Sequence, residues 1–186
     1  MAEEKKVLAH YDAQYTSFAT DLYTTIRKSV FGNDYGQNGW QTADEQDRFI
    51  EWLSLGENDT FLDVACGSGR HLHYALEQGF SVTGVDRDLS ETPGLKDRDD
   101  VTLLEADLED GGPFPFAGRH FDGIIVTNYL WRPLFPDLVA CVGDDGVLIY
   151  ETFALGHQRH GKPTRPEFLL RPNELLEAVL PDLVVI

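Results

Sequence analysis

The chain has 186 residues, which is enough for one domain with a sizeable core and few for two. Its formal charge of −17, from 32 acidic and 15 basic residues, disfavours nucleic-acid binding, which needs basic side chains to displace counterions. The sequence has no apolar stretch long enough for a membrane span and no secretory signal at its N-terminus. We therefore expect a cytoplasmic protein that acts on a small molecule, without a nucleic-acid or membrane partner.

Metal and disulfide chemistry are not favoured by the sequence. The two cysteines, Cys66 and Cys141, lie in unrelated contexts, so we expect reduced thiols. His71 and His73 are two positions apart on a predicted helix, so their side chains point to different faces and make poor co-ligands. We predict that the protein holds no metal.

The N-terminal third is predicted to be helical. Apolar residues recur at spacings of three and four from Leu8 to Ile26, which is typical of an amphipathic helix. Thr42 to Glu45 has the form of a capping box, which predicts the start of a second helix. We expect a single domain over residues 1–186, with a helical cap at 1–43 and the core at 44–186.

From Thr60 onward, strands and helices are predicted to alternate. The predicted strands are TFLDVAC, FSVTGVD, VTLLEAD, FDGIIVTN and GVLIYETF, and LVVI at the end of the sequence predicts the start of another. The predicted helices run from Arg70 to Gln78, from Leu134 to Val142 and from Pro172 to Leu180, with Pro172 in the first turn. Nearly continuous apolar strands indicate a parallel sheet covered on both faces, hence a doubly wound, Rossmann-like α/β fold.

The stretch FLDVACGSGRH, residues 61–71, joins the first strand of this pattern to its helix. Gly67 and Gly69 would let the backbone approach a ligand beside the unpaired N–H groups of the helix start. A dinucleotide site of the form G-x-G-x-x-G needs a third glycine where this sequence has Leu72. A NAD-dependent oxidoreductase is therefore a disfavoured alternative.

Asp63 also disfavours a ligand that carries phosphates. Two like charges about 4 Å apart repel by roughly 4 kcal/mol at an effective dielectric constant of about 20. The same carboxylate would favour a ligand with ammonium and sulfonium charges and no phosphate. S-adenosylmethionine meets that description.

Two further acidic residues end the second and third strands. Asp86 lies nineteen residues after Gly67, where a carboxylate can accept hydrogen bonds from both ribose hydroxyls. Asp107 is placed to accept from an adenine amino group, and Leu108 would line the ring. Aspartate at the end of a strand is also a common turn former, so each residue alone is weak evidence. Their order and spacing with the glycine turn indicate one binding site.

These motifs together resemble a known family. The runs DVACGSGRH, GVDRD, EADLED, VTNYLWRPL, GVLIYETFALG and FLLRPNELL are similar to class I S-adenosylmethionine-dependent methyltransferases, most of all the small bacterial tellurite-resistance-type group. The resemblance covers roughly residue 60 to the end of the sequence. It implies S-adenosylmethionine as the cofactor, and it implies cofactor contacts at Asp63, Ala65, Gly67, Gly69, Asp86, Arg87, Asp107, Leu108 and Asn128.

Two features depart from that group. Residues 1–59 look more like the cap of another methyltransferase subgroup, as expected of a divergent member or of a chimaera. The family's sheet usually finishes with two antiparallel strands, and a missing last strand would leave an open edge that favours a homodimer. The alternative to an enzyme is therefore an S-adenosylmethionine-binding protein, or an engineered or truncated scaffold, without turnover.

The predicted acceptor side follows the fourth and fifth strands. Methyl transfer from a sulfonium depends mainly on alignment and water exclusion, so a general base is optional. Asn128 and Tyr129 are our candidate catalytic residues, because the reacting methyl should lie where the fourth strand ends. A soft or thiol-like acceptor would need no base. The basic loop at residues 153–171 predicts a lid that attracts a small anion, such as an oxyanion or carboxylate, and a solvated surface loop is the alternative. The candidate acceptor-binding residues are Arg132, His157, Arg159 and Arg165.

Overall fold

The computed structural model describes residues 24–25, 28–29, 43–92, 94–180 and 182–185. Most of the predicted first helix and the capping-box residue Thr42 lie outside the described residues. The chain divides into two compact units, Met1–Glu51 and Trp52–Ile186, and the boundary falls within the helix α1, Ala43–Leu53. The predicted division into a cap and a core at residue 43 stays a prediction.

A parallel sheet organises the second unit. Its described strands are β1 (Thr60–Val64), β2 (Ser81–Asp86), β3 (Val101–Glu105), β4 (Phe121–Thr127) and β5 (Val142–Glu151). They lie in the order β3-β2-β1-β4-β5, and each neighbouring pair is parallel. The predicted Rossmann-like α/β fold is confirmed, and the described residues form five strands of its sheet.

The helices that follow the strands are short. The described ones are α2 (Arg70–Glu77), α3 (Phe135–Ala140) and α4 (Glu174–Val179), with 3₁₀ turns at Arg132–Leu134, His157–Arg159 and Pro166–Phe168. The prediction that α3 continues through Val142 is wrong, because Val142 already pairs with Phe121 as the first residue of β5. Pro172 is not in the first turn of α4, because Asn173 is the N-cap of that helix.

The predicted strand LVVI is not formed within residues 182–185. The N–H of Leu183 instead donates a hydrogen bond to the carbonyl of Val179, 2.9 Å away, which extends the turns of α4. Within the described part of the chain, β3 and β5 are therefore the two ends of the sheet. The homodimer expected from an open edge stays a prediction.

The central strand β1 and its neighbour β4 form the core of the sheet. Phe61 and Leu62 of β1 and Ile124 and Ile125 of β4 have no exposed surface. Continuous apolar runs give this result because both faces of a central parallel strand are covered. Tight packing around β1 and β4 holds their carboxyl ends in fixed positions, and the candidate site lies at those ends.

Gly84 in β2 provides a test of this packing. A Cβ atom at this position would lie 2.6 Å from Cδ1 of Leu72 in α2 and 3.1 Å from Cδ2 of Leu103 in β3. Gly84→Ala should therefore overpack the core and lower the free energy of unfolding by about 1–3 kcal/mol in urea denaturation. Gly161→Ala, where nothing lies within 4 Å of the new Cβ, is the matched control. Equal stability of the two variants would contradict the packing described here.

Candidate functional site

The carboxyl ends of all five strands meet at one edge of the sheet. β1 pairs with β2 on one side and with β4 on the other, so the order of the strands reverses at β1. Parallel α/β sheets bind ligands at such a switch point. Asp63 in β1, Asp86 at the end of β2, and Asp107 and Asn128 just after β3 and β4 all belong to this edge.

The glycine turn after β1 has an unusual backbone conformation. Ala65, Gly67 and Gly69 have φ values of 59°, 52° and 75°, all in the left-handed region. This conformation is costly for Ala65, and backbone strain of this kind is typical of ligand sites. The N–H of Cys66 donates to the carbonyl of Val85 at 3.1 Å, which fixes the turn against β2.

Asp86 connects the glycine turn to β2. Its Oδ2 accepts a hydrogen bond from the N–H of Gly67 at 2.8 Å, and its Oδ1 accepts one from the N–H of Asp88 at 3.1 Å. Burial raises the pKa of Asp86 above its ordinary value, although these two N–H groups act in the opposite direction. Carboxyl groups with a perturbed pKa are enriched at functional sites. Each oxygen keeps a second lone pair, so Asp86 can still accept hydrogen bonds from a ligand.

Asp63 is buried beside His71, a neighbour that the sequence analysis did not identify. The two side chains are 1% and 2% exposed, and Nδ1 of His71 lies 3.4 Å from Oδ2 of Asp63. Neither carboxylate oxygen of Asp63 has a hydrogen-bond partner among the described residues. Burial lowers the pKa of His71, in spite of the attraction of Asp63, and keeps the imidazole neutral. A buried carboxylate without a donor at a ligand edge is available to a cationic group.

The remaining predicted cofactor residues lie at the rim of the edge. Asp107 is exposed, and its Oδ1 accepts a hydrogen bond from the N–H of Glu109 at 2.9 Å. Leu108 is half-buried against the core, and Arg87 is exposed. The structure thus brings these residues to the same end of the sheet, and their contacts with a cofactor stay a prediction.

The two candidate catalytic residues follow β4. Asn128 has a left-handed backbone, with φ of 57°, and its N–H donates to the carbonyl of Glu151 at 2.9 Å. Burial, followed by the negative charge of Glu109, raises the pKa of Tyr129 far above its ordinary value. The phenol therefore stays protonated at neutral pH, so Tyr129 can donate a hydrogen bond there but cannot act as a general base.

Arg132 is held by a buried carboxylate. Its Nε and Nη2 donate to the two carboxylate oxygens of Glu174 at 2.6 and 2.9 Å. Its Nη1 and Nη2 donate to the carbonyls of Glu167 and Leu169 at 2.7 and 3.0 Å. Bidentate pairing of this kind is strong and fixes geometry. It favours a structural role for Arg132, joining the end of β4 to the start of α4, over the predicted contact with an acceptor.

The other predicted acceptor residues differ in their surroundings. Arg165 pairs with Glu167, and its guanidinium lies 5.0 Å from the ring centre of Phe168. The Nε2 of His157 donates to the carbonyl of Lys162 at 2.7 Å. Arg159 is exposed and makes no ion pair with the part of the chain that the structure describes. Of these three side chains, Arg159 is the one whose charged group is available to an acceptor.

Within the described ranges, no three or more His, Cys, Asp or Glu side chains form a group that could hold a metal ion. The prediction that no metal is needed stays a prediction. Among the same residues, no helix has the length and apolar character that crossing a membrane requires.

A comparison with protein families identifies the domain. A family model described as a methyltransferase domain matches residues 61–143, slightly less than half of the 186-residue chain. The chain contains a methyltransferase domain. The matched segment begins within β1 and includes the glycine turn, Asp86, Asp107 and Asn128. The match agrees with the predicted methyltransferase class over residues 61–143.

Solved structures share the fold of this methyltransferase domain. A TehB-like S-adenosylmethionine-dependent methyltransferase from Corynebacterium glutamicum is 21% identical with a TM-score of 0.59, and the alignment covers 90% of this chain and 82% of that one. The [4+2]-cyclase SpnF is 20% identical with a TM-score of 0.59, and the alignment covers 82% of this chain and 61% of the cyclase. A third similar structure is a phosphoethanolamine N-methyltransferase from Haemonchus contortus, in complex with phosphomonomethylethanolamine and S-adenosylhomocysteine. It is 17% identical with a TM-score of 0.63, and the alignment covers 90% of this chain and 42% of that enzyme.

These similarities establish the fold of the methyltransferase domain but not its acceptor. The identities are low, one similar structure is a cyclase, and a fold alone does not fix a reaction. The chain spans less than two thirds of the length of the cyclase and of the Haemonchus enzyme. No curated protein matches the chain in sequence.

Proposed function

We propose that this chain transfers a methyl group from S-adenosylmethionine to a small anionic or soft acceptor. The observation that carries the proposal is Asp63, a buried carboxylate without a hydrogen-bond partner among the described residues, next to a left-handed glycine turn. A buried charge without a partner is costly unless a ligand supplies the opposite charge. The ammonium group of S-adenosylmethionine would supply it.

The other residues of the edge fit the rest of this cofactor. Asp86 already orders the glycine turn and has lone pairs for the two ribose hydroxyls. Asp107 and the half-buried Leu108, after β3, would border the adenine ring. A pyrophosphate would bring negative charge toward Asp63 and Asp86, which supports S-adenosylmethionine over a nicotinamide dinucleotide.

Methyl transfer at this site would depend on alignment and exclusion of water. Asn128 and Tyr129 would border the acceptor, because they follow β4 beside the switch point. Because Tyr129 stays protonated, it would position an acceptor atom by donating a hydrogen bond. A thiolate, carboxylate or other oxyanion has no proton to lose, so such acceptors match a site without a general base.

Calorimetry and a turnover assay on the full chain test this proposal. We expect S-adenosylmethionine and S-adenosylhomocysteine to bind and NAD not to bind. Incubation with thiols, carboxylates, inorganic oxyanions and amines should then produce S-adenosylhomocysteine with an anionic or soft acceptor. Preferential binding of NAD would contradict the cofactor. Binding without methyl loss across the panel would favour the alternative of a binding protein without turnover.

The basic loop at 153–171 gives a sharper prediction about the acceptor. Arg159→Ala should raise the KM for an anionic acceptor about fivefold, as expected for the loss of an exposed charge pair, without changing cofactor affinity. Arg98→Ala is the matched control, because Arg98 is an exposed arginine outside this loop and is paired with Asp100. Steady-state kinetics of the two variants provide the measurement. An unchanged KM in Arg159→Ala would remove this loop from the acceptor site.

A further inference from the structure

His71 has a position that the proposed function does not explain. It is the second residue of α2, directly after the glycine turn, and its side chain faces Asp63 across the strand-to-helix connection. The Nε2 of His71 and both carboxylate oxygens of Asp63 lack hydrogen-bond partners among the described residues. Three unpaired polar atoms so deeply buried are rare in folded proteins and call for a specific cause.

The protonation state of His71 follows from its surroundings. The imidazole is fully buried and neutral, so it carries one N–H group. Carboxylate oxygens can only accept, so the ring nitrogen that faces Asp63, Nδ1, is the one that holds the hydrogen. Nδ1 lies 3.4 Å from Oδ2 of Asp63 without forming a hydrogen bond in the free chain, and Oδ1 is left for another donor.

Backbone hydrogen bonds connect the start of α2, which carries His71, to the glycine turn at the carboxyl edge of the sheet. The N–H of His73 donates to the carbonyl of Gly69 at 2.9 Å, so the first turn of α2 is continuous with the glycine turn. The N–H of Gly67 in the same turn is held by Asp86. A rigid helix start therefore sets both the shape of the turn and the place of the imidazole.

We propose that His71 is a positioning residue, which orients the carboxylate of Asp63 toward the ammonium group of the bound cofactor. The inference rests on the proposed function and adds to it. In the complex the imidazole would hold Oδ2 of Asp63, which lies 3.4 Å from Nδ1 in the free chain, and Oδ1 would meet the ligand. His71 would thus act on the amino-acid end of the cofactor alone and have no effect on its adenosine end.

Two ligands separate these ends in a calorimetric experiment. S-adenosylhomocysteine carries the ammonium group, whereas 5′-methylthioadenosine has the same adenosine and a thioether without the amino-acid end. His71→Leu should weaken S-adenosylhomocysteine binding about tenfold, the value of one hydrogen bond to a charged group. It should leave 5′-methylthioadenosine binding unchanged. His71→Asn, which keeps an N–H donor, should restore much of the lost affinity.

An equal loss for both ligands would show a merely structural role and overturn the inference, and so would unchanged binding of S-adenosylhomocysteine. If the wild-type chain binds neither ligand, the proposed function itself is wrong and the inference falls with it. A second measurement needs no variant and decides the matter if the variants do not fold. Nitrogen-15 spectra of the wild-type histidines should show the His71 proton on Nδ1, and a proton on Nε2 would contradict the proposal.

Discussion

Asp86→Asn is expected to weaken S-adenosylhomocysteine binding by about a hundredfold, because two charge-assisted hydrogen bonds to the ribose are each worth about 1.5–3 kcal/mol. The same change weakens the bond from the N–H of Gly67, which is 2.8 Å from Oδ2 of Asp86. The glycine turn would then be held to β2 mainly by the hydrogen bond from the N–H of Cys66 to the carbonyl of Val85. Titration calorimetry of the wild type and the variant measures the effect directly.

Asp144→Asn provides the control for the Asp86 experiment. Asp144 is exposed near the amino end of β5, on the opposite side of the sheet from the carboxyl edge, and undergoes the same chemical change. The Asp144→Asn variant should bind S-adenosylhomocysteine with the same affinity as the wild type. If Asp86→Asn binds as tightly as Asp144→Asn, the ribose is not held by Asp86 and the placement of the cofactor is wrong.

The second large effect is a loss of stability when the carboxylate of Glu174 is removed. Glu174 is buried and joins Arg132 and Arg171, and the guanidinium of Arg132 holds the pKa of Glu174 at about 2, below its ordinary value of 4.5. Glu174→Gln should lower the free energy of unfolding by about 2 kcal/mol at neutral pH, because the positive charge of Arg132 loses its partner. The partial exposure of Arg132 keeps this figure below that of a fully buried pair.

The pH dependence of stability provides a second test of the pair formed by Glu174 and Arg132. A carboxyl group whose pKa is lowered in the folded state stabilises the protein above its unfolded pKa and loses that effect as the pH falls toward the folded value. For Glu174 the loss should occur between about pH 5 and pH 2. Urea denaturation across this range should show a decline in the wild type that is smaller in Glu174→Gln.

Glu177→Gln is the matched control, because Glu177 is an exposed glutamate in the same short helix. It should leave both the stability and its acid dependence as they are in the wild type. Equal acid dependence of the wild type and Glu174→Gln would mean that the pair with Arg132 contributes nothing measurable.

The strands and their acidic ends could be predicted because they depend on local patterns. Continuous apolar runs specify buried parallel strands, and parallel strands bring their carboxyl ends together whatever the packing details are. Asp63, Asp86 and Asp107 were therefore placed at one edge from their positions in the chain alone. The glycine turn followed because Gly67 and Gly69 have the left-handed backbone for which glycine is suited.

Contacts between distant residues could not be predicted in this way. Arg132 and Glu174 are 42 positions apart, and charge composition alone could not reveal that Arg132 is paired. The contact between His71 and Asp63 depends on the angle at which α2 leaves the glycine turn. The end of α3 was misplaced because Val142 joins β5 through pairing with Phe121, and such pairing outweighs local helix preference.

A crystal structure of the chain with S-adenosylhomocysteine tests the central claim most directly. We predict the ligand at the carboxyl edge between β1 and β4, with its ribose hydroxyls bonded to the carboxylate of Asp86 and its ammonium group beside Asp63. The adenine should lie next to Leu108. A ligand bound elsewhere on the chain, or with its ammonium group turned away from Asp63, would contradict this account.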